Sequence, residues 1–362
     1  MRTLHVAAAA ALLLAAGTTG CRKKAEPAPQ EEPQDLRTRA QGYFDVITAP
    51  EVDEARVAIG ARLYHDTNLS ADGTISCASC HAIPDGGDDG LRTSPGVGGA
   101  IGPINSPTTL NSHLNFVQFW DGRARTLEEQ ALGPIENPLE MAHNLDAVVA
   151  YLQSEPSYTE QFAEAFDGAI TPDTIATALA EYERTLVTPN GPFDRWLQGE
   201  DGAMTDEQLA GLEAFMDVGC TTCHIGPGLG GTMFQRMGLV HDWFADQERE
   251  LTDADMGRMN ATGNEAHRHQ FKVPLLRNVT MTAPYLHDGS IDDLAEVVRV
   301  MAHYQLGESL DDERIGSIVA FLGALEGDLP TVDLEALALP APRTGAAPEG
   351  EGAAADDEAA TP

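Results

Sequence analysis

The sequence predicts an all-α protein built from two packed copies of one helical module, with few short strands. Two observations support this prediction. Apolar residues recur mostly at helical spacing, and strand signals are few. The pentapeptide C-x-x-C-H occurs twice, at residues 77–81 and 220–224, and each copy follows a predicted helix. A repeated helix and motif indicate an internal duplication.

Local signals place the helices. Thr171 followed by Pro172 predicts a helix start, because proline fits the first helical turn. The apolar residues that follow at helical spacing are Ile175, Leu179, Tyr182 and Leu186. Thr205 with Gln208 predicts a capping box, and that helix runs up to Gly219. Its apolar face is Leu209, Leu212, Phe215 and Met216.

The helices that precede the two pentapeptides share a second pattern. Gly60 lies four residues before Tyr64, and Gly211 lies four residues before Phe215. A glycine one turn from an aromatic residue lets another helix approach closely. Residues 189–192, Pro-Asn-Gly-Pro, then form a natural hinge between the two copies.

The pentapeptides predict covalent attachment of two c-type haems. In each motif the cysteines form thioethers to the haem vinyl groups, and the histidine is the proximal iron ligand. The cofactor-binding residues are thus Cys77, Cys80, His81, Cys220, Cys223 and His224. A redox dithiol or a zinc site remains the alternative. The fold is therefore expected to be two cytochrome c-like haem domains.

The N-terminus predicts export. Residues 1–21 combine an arginine, a short apolar run and small residues before Cys21, as in a signal peptide of the lipoprotein type. An ordinary signal peptide with an incidental Cys21 is the alternative. We expect a periplasmic protein, with a lipid anchor at Cys21 as an option. Assembly of c-type haem outside the cytoplasm agrees with this location.

Composition divides the rest of the chain. Residues 22–38 predict a flexible tether, and residues 336–362 a disordered acidic tail. Between them, we expect an N-terminal domain at 39–190 and a C-terminal domain at 191–335. The formal net charge of −35 argues against nucleic acid as a partner. It favours a redox partner with a basic face, unless the acidity is an adaptation to habitat.

Further motifs specify a family. They are residues 105–108, 118–123, 127–130, 134–141, 271–274, 276–278, 282–289, Met301 and 305–307. In this order and spacing, they resemble the bacterial di-haem cytochrome c peroxidases and their MauG-type relatives. The resemblance covers about residues 43–325.

The resemblance implies a division of labour. The N-terminal haem would be the low-potential peroxidatic site, and the C-terminal haem a high-potential site that receives electrons. The donor would be a small soluble cytochrome c or a cupredoxin, and hydrogen peroxide would be reduced to water. Relatives are often homodimers.

The resemblance also assigns individual roles. Glu140 matches the acid–base residue, Gln130 a pocket amide, and Trp120 the indole between the haems. Without the resemblance, Glu140 reads as a solvated acid at a helix start, and Trp120 as a core aromatic residue. Met301 matches the axial methionine of the C-terminal haem, although alone it reads as a core residue. MauG-type relatives have a tyrosine as this ligand instead, and Tyr304 lies one helical turn after Met301.

Two further positions concern metal coordination. Val97 stands where many relatives have a histidine that blocks the N-terminal iron, and valine cannot ligate iron. Asn105, Thr282 and Pro284 match a calcium site between the domains, with a plain hydrogen-bonded interface as the alternative. The resemblance places His287 near the C-terminal haem, and His113 is a candidate substitute ligand.

Three functions stay open at this point. The first is a peroxidase. The second is a MauG-like oxidase of a protein or a small organic substrate, against which Met301 argues. The third is a non-catalytic di-haem electron carrier, against which Gln130 and Glu140 argue.

Overall fold

Helices dominate the structure, a computed structural model that describes residues 35–343. In the N-terminal half the helices are α1 (Leu36–Gln41), α2 (Glu54–His65), α3 (Cys77–Cys80), α4 (Leu127–Ala131), α5 (Gly133–Glu136), α6 (Leu145–Ser154), α7 (Pro156–Phe166) and α8 (Pro172–Thr185). In the C-terminal half they are α9 (Pro192–Leu197), α10 (Asp206–Val218), α11 (Arg258–Thr262), α12 (Leu294–Met301) and α13 (Asp312–Gly323). The signal peptide, Cys21, tether residues 22–34 and tail residues 344–362 lie outside the described residues.

The strands are few and short, as the sequence predicts. Strands β1 (Phe234–Arg236) and β2 (Gln270–Lys272) pair antiparallel, with Phe234 opposite Lys272. No helix of the described range is long and apolar enough to cross a membrane.

The duplication is visible as two closely packed helix pairs, α2 with α8 and α10 with α13. A Cβ atom at Gly60 would lie 1.9 Å from the carbonyl oxygen of Ala178 in α8. A Cβ atom at Gly211 would lie 1.8 Å from the carbonyl oxygen of Ser317 in α13. Both glycines therefore permit backbone contact between helices, as the repeated pattern predicts.

The aromatic residues of the pattern pack across the same pairs. The ring centroids of Tyr64 and Tyr182 are 5.2 Å apart, and those of Phe215 and Phe321 are 5.3 Å apart. The two modules thus use one packing solution twice.

The predicted helix starts are confirmed. The Thr171 side chain accepts a hydrogen bond from the Thr174 N–H, with Pro172 in the first turn. Thr205 and Gln208 form the reciprocal capping box of α10. Gly219 ends α10 in the left-handed region, at φ 100°. Helix α10 thus ends immediately before the second pentapeptide, which starts at Cys220.

The described residues form two large hydrophobic cores and a smaller third one around Phe244 and Phe271. The first contains buried residues from Ile59 to Leu186, and the second contains buried residues from Phe193 to Leu325. Ala40 and Phe44 nevertheless pack in the second core, whereas Leu337 packs against the first. A domain boundary near residue 190 stays a prediction. Each of the two large cores also contains or contacts residues from the other half of the chain.

Parts of the predicted tether and tail are ordered in the structure. The Arg37 guanidinium lies 4.9 Å from the centroid of the Trp196 ring, so the tether does not extend to residue 38. The Arg343 N–H donates to the Asn68 side chain at 2.6 Å, and Asn68 donates to the Ala341 carbonyl at 3.1 Å. Composition suggests a disordered tail from residue 336, but these contacts hold residues 336–343 against the first module.

A buried ion pair supports the second core. Arg277 donates two hydrogen bonds to the Asp194 carboxylate, at 2.7 and 2.8 Å, and both residues are buried. Arg277 also donates to the carbonyls of Pro227 and Asp45. It therefore joins α9, the loop after the second pentapeptide and the N-terminal segment.

Candidate functional site

The first pentapeptide opens onto a cavity of about 380 Å³. Its lining includes Cys77, Cys80, His81, Trp120, Gln130 and Glu140. These residues come from α3, α4 and three loops, which are separated in sequence. The structure thus brings the predicted attachment residues and the predicted acid–base residues to one cavity.

The second pentapeptide opens onto a separate cavity of about 220 Å³. Cys220, Cys223, His224 and Met301 line it, together with Asn105 and Trp120. Met301 is the last residue of α12 and is followed by a π-helical turn, Ala302–Leu306. Such turns are frequent at functional sites.

Both histidines are oriented for iron coordination. His81 donates its Nδ1–H to the Gly87 carbonyl at 3.3 Å, and His224 donates to the Leu229 carbonyl at 2.9 Å. Because a carbonyl only accepts, Nε2 is left without a proton and can bind a metal. Burial also lowers the pKa of both imidazoles, which favours the neutral ligand form.

The cysteines fit thioether formation better than the alternatives. All four are free, and burial raises the pKa of each thiol. A redox dithiol needs a lowered pKa, which is absent here. The two pairs also line different cavities, so they cannot form one four-cysteine zinc site. The donor set of each cavity fits one covalently bound haem.

Glu140 faces the first cavity in a half-buried position. Its Oε1 accepts a hydrogen bond from Asn137 Nδ2 at 2.5 Å. Burial raises the pKa of Glu140, although the Asn137 hydrogen bond and the charge of Arg123 oppose the shift. Glu128, by contrast, is paired with Arg184 and lies outside the cavity lining. The environment of Glu140 is thus that of a partly desolvated carboxyl group, not of a solvated acid.

Trp120 lines both cavities. Its Nε1–H donates to the Asn105 carbonyl at 3.1 Å, and its ring meets Phe271 edge-on. Phe271 also lines both cavities. Trp196 packs in the second core, and Trp243 packs against Tyr304. Among the described tryptophans, Trp120 alone is placed to connect the cavities.

Tyr304 points away from the second cavity. Its hydroxyl donates to the Asp246 carboxylate at 3.2 Å, and it is absent from the cavity lining. Met301 does line the cavity. The geometry therefore favours Met301 over Tyr304 as the residue that would supply a ligand to a haem in this cavity.

His287 lines the second cavity within a charged cluster. Its Nε2 lies 2.9 Å from Asp255 Oδ1, and its ring packs on Phe271. Arg249 donates to both oxygens of Asp255 and to Asp288. Asp255, His287 and Asp288 are close enough to hold a metal ion, but the Arg249 guanidinium already binds both carboxylates and offsets one of their two negative charges. We interpret the cluster as a support that orients His287.

Val97 begins a tight turn, Val97–Gly99, beside Glu140. Its N–H donates to the Glu140 carbonyl at 2.8 Å. A Cβ atom at Gly96 would lie 2.2 Å from the Leu139 carbonyl, so the loop touches this segment directly. Ser94 and Gly96 line the cavity, whereas the Val97 side chain does not.

The predicted calcium residues converge at the second cavity. Asn105, Thr282 and Pro284 all line it. Asn105 Nδ2 donates to the Leu91 and Arg92 carbonyls, so its Oδ1 is the atom left for a cation. The Thr282 and Pro284 carbonyls accept no hydrogen bond from any described residue. Free oxygens of this kind fit calcium, although no carboxylate contributes.

His113 does not reach either cavity. Both ring nitrogens are buried without a hydrogen-bond partner among residues 35–343, and burial lowers the pKa of the ring. Neither cavity lining includes it. The structure therefore does not support His113 as a substitute ligand.

Two buried ionisable residues were missed by the sequence reasoning. Glu183 lines the first cavity, and burial raises its pKa to about 8. Its signal was available, because an acid four residues after Leu179 falls on the apolar stripe of α8. Lys272 lines the second cavity, and burial lowers its pKa to about 8. Its signal was the near absence of lysine from the rest of the chain.

A helical protein with two cavities, each lined by a C-x-x-C-H motif, is a c-type di-haem protein by its fold and site. The family model of the di-haem cytochrome c peroxidases matches residues 54–202. The chain is 47% identical over 306 residues to a cytochrome c peroxidase of Escherichia coli. The aligned region covers 80% of this chain and 65% of that protein. It is 44% identical over 292 residues to the cytochrome c551 peroxidase of Nitrosomonas europaea, which covers 80% of this chain and 85% of that protein.

Solved structures agree with the fold. A MauG-like protein associated with microbial copper homeostasis has a TM-score of 0.68 at 26% identity, covering 82% of this chain and 95% of that chain. The di-haem peroxidase BthA from Burkholderia thailandensis has a TM-score of 0.62 at 18% identity, covering 80% and 92%. The chain belongs to the di-haem cytochrome c peroxidase family, a family of enzymes that carry two haems.

Proposed function

We propose that the protein is a peroxidase that reduces hydrogen peroxide to water with electrons from a small soluble cytochrome c or a cupredoxin. The observation that carries the proposal is the position of Glu140 and Gln130 in the same cavity as Cys77, Cys80 and His81. An electron carrier has no need for a carboxyl group with a raised pKa in its haem cavity.

The side chains of the first cavity supply the proton chemistry. When bound, the haem supplies a redox-active iron at which the peroxide O–O bond is cleaved. The Glu140 carboxylate takes a proton from the inner peroxide oxygen and delivers it to the outer oxygen, which leaves as water. Two further protons and two electrons complete the second water. The Gln130 amide holds peroxide by hydrogen bonding, and Asn137 holds the Glu140 carboxyl in place.

The second cavity receives the electrons. Met301 supplies a thioether, which stabilises ferrous iron and raises the haem potential. Trp120, which lines both cavities, carries electrons between them. A MauG-like oxidase is less well supported, because Tyr304 is directed towards Asp246 and not into the cavity.

Replacing Glu140 by Gln tests the proposal. Both haems should be retained, and peroxide turnover should fall about 10²- to 10⁴-fold, because the amide cannot carry the proton. Because Glu140 must start as a carboxylate, wild-type turnover should also decline as pH falls through its raised pKa. Steady-state assays with a reduced cytochrome c measure both effects.

Glu136→Gln is the matched control, since Glu136 is exposed on α5 and outside the cavity lining. Equal turnover of Glu140→Gln and wild type would remove Glu140 from the mechanism.

Calcium is part of the proposal. The Asn105 side chain and the Thr282 and Pro284 carbonyls would bind one Ca²⁺ with help from water. We expect modest affinity, because no carboxylate is supplied. Calorimetric titration of chelator-treated holoprotein should show one calcium site, and Asn105→Ala should weaken it. Unchanged binding in that variant would leave the residues as a hydrogen-bonded interface.

Location and assembly complete the proposal. The signal peptide predicted at residues 1–21 and the haem type support a periplasmic protein, with Cys21 as the proposed lipid acceptor. Fatty-acid labelling of wild type but not of Cys21→Ser would identify the anchor. We also expect a homodimer, which analytical ultracentrifugation would detect.

A further inference from the structure

Lys272 is an unusual residue for this chain. The sequence contains three lysines, and Lys23 and Lys24 both lie in the predicted tether. Lys272 is therefore the one lysine of the described structure. It is buried in strand β2, with 6% of its surface exposed. Among residues 35–343 the other basic side chains of the Lys/Arg type are all arginines, and the one lysine is buried.

The Lys272 ammonium lacks a counter-ion. Its Nζ donates to Asn115 Oδ1 at 3.0 Å, which uses one of its three N–H groups. No carboxylate of residues 35–343 forms an ion pair with it, and burial is the sole cause of its lowered pKa. A buried cation with one neutral partner is costly, so an anion close to Nζ would stabilise it.

The position of Lys272 indicates where that anion lies. Lys272 lines the second cavity with Cys220, Cys223 and His224, and it is the only lysine or arginine in that lining. Its backbone N–H donates to the Trp120 carbonyl at 2.8 Å, which fixes it beside a residue that lines both cavities. The anionic groups of a haem are its two propionates.

We propose that the Lys272 ammonium binds a propionate of the C-terminal haem and thereby raises the reduction potential of that haem. A positive charge near the iron favours the ferrous state, which carries one positive charge fewer than the ferric state. The inference rests on the proposed function only in requiring a haem in the second cavity. Lys272 is a positioning residue, since it acts through the propionate.

The test compares the holoproteins of Lys272→Met, Lys272→Arg and wild type. Haem per chain is measured first, and the midpoint potentials of both haems are then determined by spectroelectrochemical titration. In Lys272→Met the C-terminal potential should fall by about 59 mV, a tenfold change in a one-electron equilibrium. The N-terminal potential should not move, and Lys272→Arg should recover most of the loss.

Arg236→Met is the matched control. Arg236 lies on the paired strand β1, is exposed and pairs with Asp242. Removing this cation should leave both potentials unchanged. An equal fall in Arg236→Met would show a general charge effect and overturn the proposal.

The remaining outcomes are also decisive. Loss of the C-terminal haem from Lys272→Met but not from Lys272→Arg would support the proposal, because a cation is then required for binding. Two haems with unchanged potentials in Lys272→Met would overturn it and leave the peroxidase proposal intact. Failure of both Lys272 variants to accumulate, with Arg236→Met normal, would show a purely structural role. A wild type with one haem would overturn both proposals.

Discussion

At the scale of single residues, Val97 stands where the family resemblance leads one to expect a histidine. Its backbone is held by the Glu140 carbonyl, and its side chain does not line the first cavity. Gly98 and Gly99 have positive φ angles, and Cβ atoms there would meet nothing within 4 Å. The turn is therefore anchored on one side and unhindered on the other.

A histidine at position 97 should change how the enzyme is activated. In the oxidised wild type, the N-terminal iron should be five-coordinate or hold only a weak water, and should react with peroxide without prior reduction. Val97→His should add a low-spin ferric signal and make turnover depend on pre-reduction of the other haem. Electron paramagnetic resonance and single-turnover assays measure these effects, with Val97→Ala as the control.

The opposite result is also clear. Two low-spin signals of full intensity in the oxidised wild type would show that another side chain already occupies the iron. The site would then need a loop rearrangement that the structure does not contain.

At the scale of secondary-structure elements, the two glycine contacts set how closely the helix pair of each module packs. Gly60 and Gly211 place backbone against backbone at Ala178 and Ser317. The helices α8 and α13 cannot keep these positions if a methyl group is inserted, because interiors are close-packed.

Substituting Gly211 by Ala should destabilise the protein by about 1–3 kcal/mol, the usual cost of overpacking. Gly316→Ala is the control, because Gly316 lies within α13 and a Cβ atom there meets nothing within 4 Å. That substitution should stabilise by up to about 1 kcal/mol, the helix-propensity difference. Denaturant unfolding of both variants measures the difference. A gain in stability for both would refute the close-contact interpretation.

At the scale of the whole molecule, Arg277 connects segments that are far apart in sequence. It links Asp194 in α9, the carbonyl of Pro227 and the carbonyl of Asp45. Two further long-range contacts join the halves of the chain: Phe44 packs in the second core, and Leu337 packs against the first. Contacts between distant segments thus join the two modules in addition to the predicted hinge near residue 190.

Replacing Arg277 by Met should cost about 3–5 kcal/mol, because the Asp194 carboxylate stays buried without a partner. The double variant Arg277→Met/Asp194→Leu should recover much of this loss. Arg195→Met is the control, since its pair with Glu200 is exposed and should contribute at most about 1 kcal/mol. Thermal unfolding is the measurement. A double variant as unstable as Arg277→Met would contradict the isolated-charge explanation.

The sequence alone determined the features that depend on short-range pattern. These are the haem-attachment motifs, the helix caps at Thr171 and Thr205, the glycine–aromatic repeat and the family. Tertiary structure decided which ionisable groups, such as Glu183 and Lys272, face a cavity, because each cavity wall is built from segments that are distant in sequence. It also decided that residues 336–343 dock on the first module, through contacts such as that of Arg343 with Asn68. Composition indicates the average loss of conformational entropy when a segment becomes ordered. A few specific long-range contacts decide whether that loss is offset.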